Sequence, residues 1–338
     1  MRAFVITGPG CGKVQDVPAP IPAPGQVVVD VERAGVCGTD AELFSGEMAY
    51  LDSGEASYPI RIGHEWCGRV SAVGPDVDAC WVGQRVTGDT MLGCGHCRLC
   101  RTGRQHLCAD RFEIGVRHGW PGALAQQLPV PASALVALPE SVDQVLGALV
   151  EPAGNALRSV RGADLEPGSR LLVIGPGTIG LLVAQIARAH GIEVHLLGRG
   201  TRSREFAADL GFDPVWTLET LDRGLDFDAV VDASNDSGVP ALAADLVAPG
   251  GRVVLVGLSG APSLVDTRTL ALKDLTAVGV LSASGGLQGT VDLFASGRVD
   301  PRPLVAATVG LEQVADVLAG FRPADAGAGP KVHVDPRL

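Results

Sequence analysis

Two rhythms of apolar and polar positions run along this chain. Over roughly residues 1–150 the apolar runs are short and repeatedly broken by Gly and Pro, as in VVVDV at 27–31 and GRVSAV at 68–73. Such spacing predicts a twisted, largely antiparallel β domain. A helical pattern follows at about 144–161. Beyond the EPG at 166–168 the rhythm changes: RLLVI at 170–174 is almost wholly apolar, which predicts a strand buried on both faces. A helical run from Thr178 to about Ala189, a second apolar run at 193–197 and a helix at 203–210 come next. Strands at 228–232 and 252–257, with a helix at 239–247 between them, and a strand at 276–280 complete the alternation. A β-α-β order of this kind predicts a doubly wound parallel sheet. From about Gly289 the pattern reads helix, loop, helix at 313–319 and a closing strand at 331–334, with 324–330 a loop. No internal repeat is visible.

Length agrees with two domains, since 338 residues exceed what one core usually holds. The composition, 46% hydrophobic and 19% charged, is that of a globular chain. A net charge of −11 repels phosphate backbones, so nucleic acid is not an expected partner. No uninterrupted apolar run of membrane-spanning length and no basic leader is present, so the expectation is a cytoplasmic protein without membrane contact. Four of the eight cysteines crowd between Cys94 and Cys108, which points to metal rather than to a disulfide framework.

The chemistry sits in three constellations. Gly175-Pro176-Gly177-Thr178-Ile179-Gly180 fits G-x-G-x-x-G between an expected strand and helix, the context in which glycines let the backbone approach a pyrophosphate lying on a helix N-terminus. An NAD-selecting acid is expected about 20 residues on. Leu197-Gly198-Arg199 stands there instead, followed by Thr201, Arg202, Ser203 and Arg204. Room at Gly198, cations at Arg199 and Arg204 and neighbouring hydroxyls suit a 2′-phosphate, so NADP is favoured over NAD. The bland alternative is that these arginines only face solvent.

Cys94, Cys97, Cys100 and Cys108 have the spacing of a closed, structural Zn²⁺ site, with Gly93, Gly95 and Gly103 permitting the tight turns. An iron–sulfur cluster also uses four cysteines, and a basic zinc ribbon is a second alternative given Arg98, Arg101, Arg104 and Arg111. The third set is scattered: Cys37 in GVCGTD at 35–40, His64 and Glu65 in GHEW at 63–66, and Glu151 in LVEPAG at 149–154. A thiolate, an imidazole and a carboxylate make a plausible catalytic Zn²⁺ shell with a position left open. Read singly, a His beside a Glu is more often an ordinary surface or core pair, and a lone Cys is usually a small buried hydrophobe.

Taken in order, CGTD at 37–40, GHEWCG at 63–68, VGQRV at 82–86, the four-cysteine lobe, VEPAG at 150–154, GPGTIG at 175–180 and the closing Lys331-Val332 resemble the zinc-containing medium-chain dehydrogenase/reductase superfamily over essentially the whole chain. The Glu65 and Glu151 pair is more similar to the polyol, threonine and glucose dehydrogenase branch. The resemblance implies an α/β fold with a GroES-like, mainly β catalytic domain at 1–152 and 289–338, a structural zinc lobe at 93–109 and a dinucleotide-binding Rossmann domain at 153–288. It implies a catalytic zinc held by Cys37, His64 and one of Glu65 or Glu151, the two glutamates exchanging, and a homodimer or homotetramer.

Hydride transfer between a secondary alcohol and its ketone follows, with Thr39 as first member of a proton relay and Glu65 or Glu151 as metal-linked acid/base. The His that many relatives carry just after CGTD is replaced here by Ala41, Glu42 and Leu43. The polar loop from Glu42 to Glu55 suggests a sugar, polyol or cyclitol-like small-molecule substrate, or else a solvated loop. Alternatives are a less polar ketone, aldehyde or imine, and a zinc-free quinone or enoyl reductase on the same fold.

Overall fold

The computed structural model describes residues 1–338, and its chain divides into two compact units. One comprises Met1–Glu151, Ser282–Gly327 and Lys331–Leu338; the other comprises Pro152–Leu281 and Ala328–Pro330. No helix is long and apolar enough to cross a membrane.

The first unit is built on a seven-stranded sheet. Its spine runs Val305–Val309, Lys331–Val334, Gln26–Gly35, Glu65–Val73, Arg85–Gly88 and Leu135–Ala137, and Gln127–Pro131 pairs with the first half of Gln26–Gly35. Every pairing is antiparallel except that of Val305–Val309 with Lys331–Val334. Val27, Val29 and Val31 point into a core with Trp66, Val70, Val86, Leu124 and Leu128, which explains the β-branched alternation of that strand. A hairpin of Arg2–Gly8 and Cys11–Asp16 lies outside the expected strands.

In the second unit six parallel strands follow the chain as Arg170–Ile174, Glu193–Leu197, Val215–Trp216, Phe227–Asp232, Val247–Leu255 and Thr276–Gly279. Numbered in that order they lie 3-2-1-4-5-6, a doubly wound sheet whose switch point falls between the first and fourth strands. Leu171, Leu172 and Val173 are fully buried, as the continuous apolar run requires. Helix Thr178–Ala189 buries Leu181, Leu182, Val183, Ala184 and Ile186.

Two strands depart from expectation. Val215–Trp216 is only two residues long, too short to carry a period. The fifth strand begins at Val247 rather than Arg252, passing through Pro249, Gly250 and Gly251. Those residues read as a break, and the ladder does shift register there, between Phe227 and Ala229 of its partner.

Candidate active site and dinucleotide loop

The end of strand Gln26–Gly35 and the start of strand Glu65–Val73 are paired Gly35 to Glu65. A β-carbon at Gly35 would stand 2.0 Å from Glu65 Oε2, so this glycine makes room for the carboxylate. Cys37 then caps helix Gly38–Ser45, and its backbone N–H donates to Asp40 Oδ2 at 2.9 Å. Oδ1 of the fully buried Asp40 accepts from Gly63 N at 3.1 Å, and it stands 3.7 Å from His64 Nδ1. One carboxylate thus locks the loop that carries Cys37 to the loop that carries His64. Gly63 is left-handed, with φ of 102°, and sits against Leu124 so closely that a side chain has no space.

The outcome is a cluster in which ligand atoms of Cys37, His64 and Glu65 lie within 4.8 Å of one another. Glu151 is buried close enough for its charge to act on His64. Thr39 is half-buried in the first turn of helix Gly38–Ser45.

Two observations fit a cation here. Burial pulls the His64 pKa down, but Asp40, Cys37 and Glu151 outweigh it and hold it well above the ordinary value, the mark of a pocket rich in negative donors. The set itself, thiolate, imidazole and carboxylate, is that of a zinc site open at one position.

Sequence reasoning assigned no role to two residues of this site. Lys331 Nζ, on the closing strand, donates to both oxygens of Glu65 at 2.8 Å and to the carbonyl of Val36 at 3.0 Å. Burial pulls this ammonium's pKa down, yet Glu65 and Cys37 raise it above its ordinary value, so it stays charged. Asp40 is the other. Its place in CGTD was legible; its reach to Gly63 was not.

The four-cysteine lobe is likewise assembled: Cys94, Cys97, Cys100 and Cys108 are free thiols within 4.8 Å of one another. The N–H of Cys100 donates to Cys97 Sγ at 3.4 Å and helps bring that thiol down to about 7, whereas burial pushes Cys100 up to about 12. Gly93 is required by closeness, since a β-carbon would meet Cys100 Sγ at 2.6 Å. Asp89 ties the lobe to its surroundings through Gln105 at 2.7 Å and Ser284 at 2.9 Å.

At the switch point, Gly175 has φ of 100° and leads into helix Thr178–Ala189, whose second turn is reached through Ile179 and Gly180. A β-carbon at Gly180 would stand 1.9 Å from the carbonyl oxygen of Gly175, while one at Gly177 would meet nothing within 4 Å. The first glycine of that pair lets helix and turn close up; the second keeps the backbone N–H groups open to an anion. Gly198 differs from expectation. It offers no vacant room, because a β-carbon there would lie 2.5 Å from Pro176 Cγ. The stem of Arg204 crosses the same spot, its Nε buried without a partner, and Arg199 Nη1 pairs with Asp236 at 2.8 Å.

Three polar side chains of the loop already have partners within the loop or in residues 111–117. Glu55 pairs with Arg117 and with Ser53, Tyr50 Oη bonds Glu113 at 3.2 Å and Arg111 at 3.3 Å, and Glu47 accepts from Ser45. Its polarity therefore serves loop packing at these positions.

Two family models match the chain: an alcohol dehydrogenase GroES-like domain over residues 23–140 and a zinc-binding dehydrogenase over 178–296. A 2-dehydro-3-deoxy-L-galactonate 5-dehydrogenase of Pseudoalteromonas atlantica is 32% identical, with 89% of each chain covered. The chain belongs to the zinc-binding alcohol dehydrogenase family. An L-threonine 3-dehydrogenase of Saccharopolyspora erythraea is 34% identical over 83% of each chain. Among solved structures, an alcohol dehydrogenase from E. coli CFT073 complexed with NADH has a TM-score of 0.90 at 27% identity, with 99% of each chain covered. A zinc-binding dehydrogenase from Sinorhizobium meliloti 1021 bound to NADP has 0.89 at 28%, again with 99% of each covered. This chain is accordingly an oxidoreductase of the medium-chain, zinc-dependent type, with a GroES-like and a Rossmann-type domain, and its reaction class is the NAD(P)-linked interconversion of a secondary alcohol and its ketone.

Proposed function

We propose that the enzyme uses NADP in preference to NAD, holds its catalytic zinc with Cys37, His64 and one of Glu65 or Glu151, and acts on a polar secondary alcohol or the matching ketone. The convergence of Cys37, His64 and Glu65 within 4.8 Å, from segments far apart in sequence, carries this reading. When bound, zinc supplies a Lewis acid for the substrate oxygen. The chain's own groups do the rest. Asp40 orients His64 from its Nδ1 side, a role that neighbouring carboxylates commonly play for ligand imidazoles. Lys331 fixes Glu65 by donating to both of its carboxylate oxygens. Thr39 Oγ1, two residues past Cys37, takes the alcohol proton as first member of the relay. Cys94, Cys97, Cys100 and Cys108 hold a second, structural zinc. Arg199 and Arg204, beside Thr201 and Ser203, receive the 2′-phosphate.

A sugar-acid or amino-acid alcohol is supported by the names of the relatives, and the resemblance to the family supports a homodimer or homotetramer. The internal pairing of Tyr50 and Glu55 favours a second reading, a less polar ketone or aldehyde, because those groups are not free to bind hydroxyls. The deciding experiment follows reduced-cofactor absorbance with sugar acids, polyols, β-hydroxy amino acids and simple secondary alcohols, each with NADP and with NAD. Oxidation of a polyhydroxylated or amino-acid alcohol with NADP, abolished by a zinc chelator, is expected. Turnover untouched by chelation, or a tenfold preference for NAD, overturns the reading.

A further inference from the structure

We infer that Asp236 is a cofactor-discriminating residue, an internal anion that holds Arg199 and competes for it with the 2′-phosphate of NADP. The inference rests on the reading that Arg199 faces that phosphate. In the sheet order, strand Arg170–Ile174 lies between strands Glu193–Leu197 and Phe227–Asp232. Arg199 stands two residues past the end of one neighbour and Asp236 four past the end of the other. Their side chains meet at 2.8 Å, so this ion pair links the two strand ends that flank the Gly175–Gly177 turn. That is where a doubly wound sheet seats the adenosine half of a dinucleotide.

The two partners are not equally held. Asp236 Oδ1 accepts from Gly238 N at 2.8 Å, and the Asp236 N–H donates to Ser234 Oγ at 3.4 Å. Its side chain is 33% exposed, against 77% for Arg199. The acid is the fixed member and the arginine the one that can turn to another anion. The second strand lacks the acid that usually stands about 20 residues beyond the glycine motif. Asp236 puts a carboxylate at the same rim from the fourth strand instead. A dianionic phosphate arriving there must draw Arg199 from Asp236 and sit near its charge, whereas a ribose with free hydroxyls meets no such opposition.

The test uses the full-length protein and titrates 2′,5′-ADP and 5′-AMP by calorimetry, in native protein and in D236N, R199M and the double variant. Asn keeps an acceptor for Gly238 while removing the charge. D236N is expected to tighten 2′,5′-ADP relative to 5′-AMP by roughly three- to tenfold, somewhat above the range of an exposed ion pair because the phosphate carries nearly two charges. That gain should fall to less than half in the R199M background. An unchanged or lowered ratio in D236N overturns the inference, as does a gain that persists undiminished without Arg199. Should D236N fold poorly by thermal melting, D236S, which keeps a hydroxyl acceptor, makes the same measurement. Failure of the NADP reading looks different: native protein then binds 5′-AMP more tightly than 2′,5′-ADP, whatever D236N does.

Discussion

Lys331 and Glu65 form a buried ion pair joined by two hydrogen bonds. Replacing Lys331 with Met strands a carboxylate behind Gly35, and breaking such a pair costs about 3–5 kcal/mol. Urea denaturation of Lys331→Met should show a loss of that size; a loss under about 1 kcal/mol would mean that Glu65 finds its compensation elsewhere. His333, on the same strand, is buried with neither ring nitrogen bonded. Burial, with Lys331 and Arg33 adding repulsion, holds it near 3, below its usual 6.5. Because the folded value lies below the unfolded one, the unfolded chain binds the extra proton. Stability is therefore complete above about pH 6.5 and falls as pH drops toward 3, by up to about 1.4 kcal/mol per pH unit. His333→Met should flatten this acid limb, read as the difference in unfolding free energy between pH 7 and pH 5. A limb of unaltered slope would assign the acid sensitivity to other groups.

At the scale of elements, the turn between strand Arg170–Ile174 and helix Thr178–Ala189 works only because Gly180 lets the helix lie against the Gly175 carbonyl, where a β-carbon would intrude to 1.9 Å. Gly180→Ala should force the turn apart and weaken 2′,5′-ADP binding by roughly tenfold or more, since overpacking of this kind costs about 1–3 kcal/mol. Unchanged binding would show that the turn relaxes freely. The four-cysteine lobe depends on its ligands rather than on apolar packing, for only Cys108 of the four is buried. Cys97→Ser is expected to lower zinc content by about one per chain and to open the 94–108 segment to proteolysis, seen as new fragments by mass spectrometry. Retention of full metal content would remove this lobe from the list of zinc sites.

Across the whole molecule, each unit has its own core: Val27, Val29, Trp66 and Leu124 in one, Leu172, Ile174, Val230 and Val253 in the other. Chelation should therefore abolish turnover and loosen the metal-holding unit while 2′,5′-ADP still binds, as measured by calorimetry on the stripped protein. Loss of nucleotide binding on chelation would contradict independent cores.

Much of this was readable in one dimension. The Rossmann half announced itself because a strand buried on both faces must be almost wholly apolar, and because a pyrophosphate turn tolerates little but glycine at 175 and 180. The four cysteines lie within fifteen residues, so local chain geometry alone brings them together. What the chain text could not decide is which distant groups meet. Asp40 reaching Gly63, Lys331 reaching Glu65 from the far end of the chain, Pro176 filling the space at Gly198 and Asp236 holding Arg199 all depend on strand order and register. Periodicity along a chain encodes which face of a strand is buried, and only the folded sheet decides which strand lies beside it.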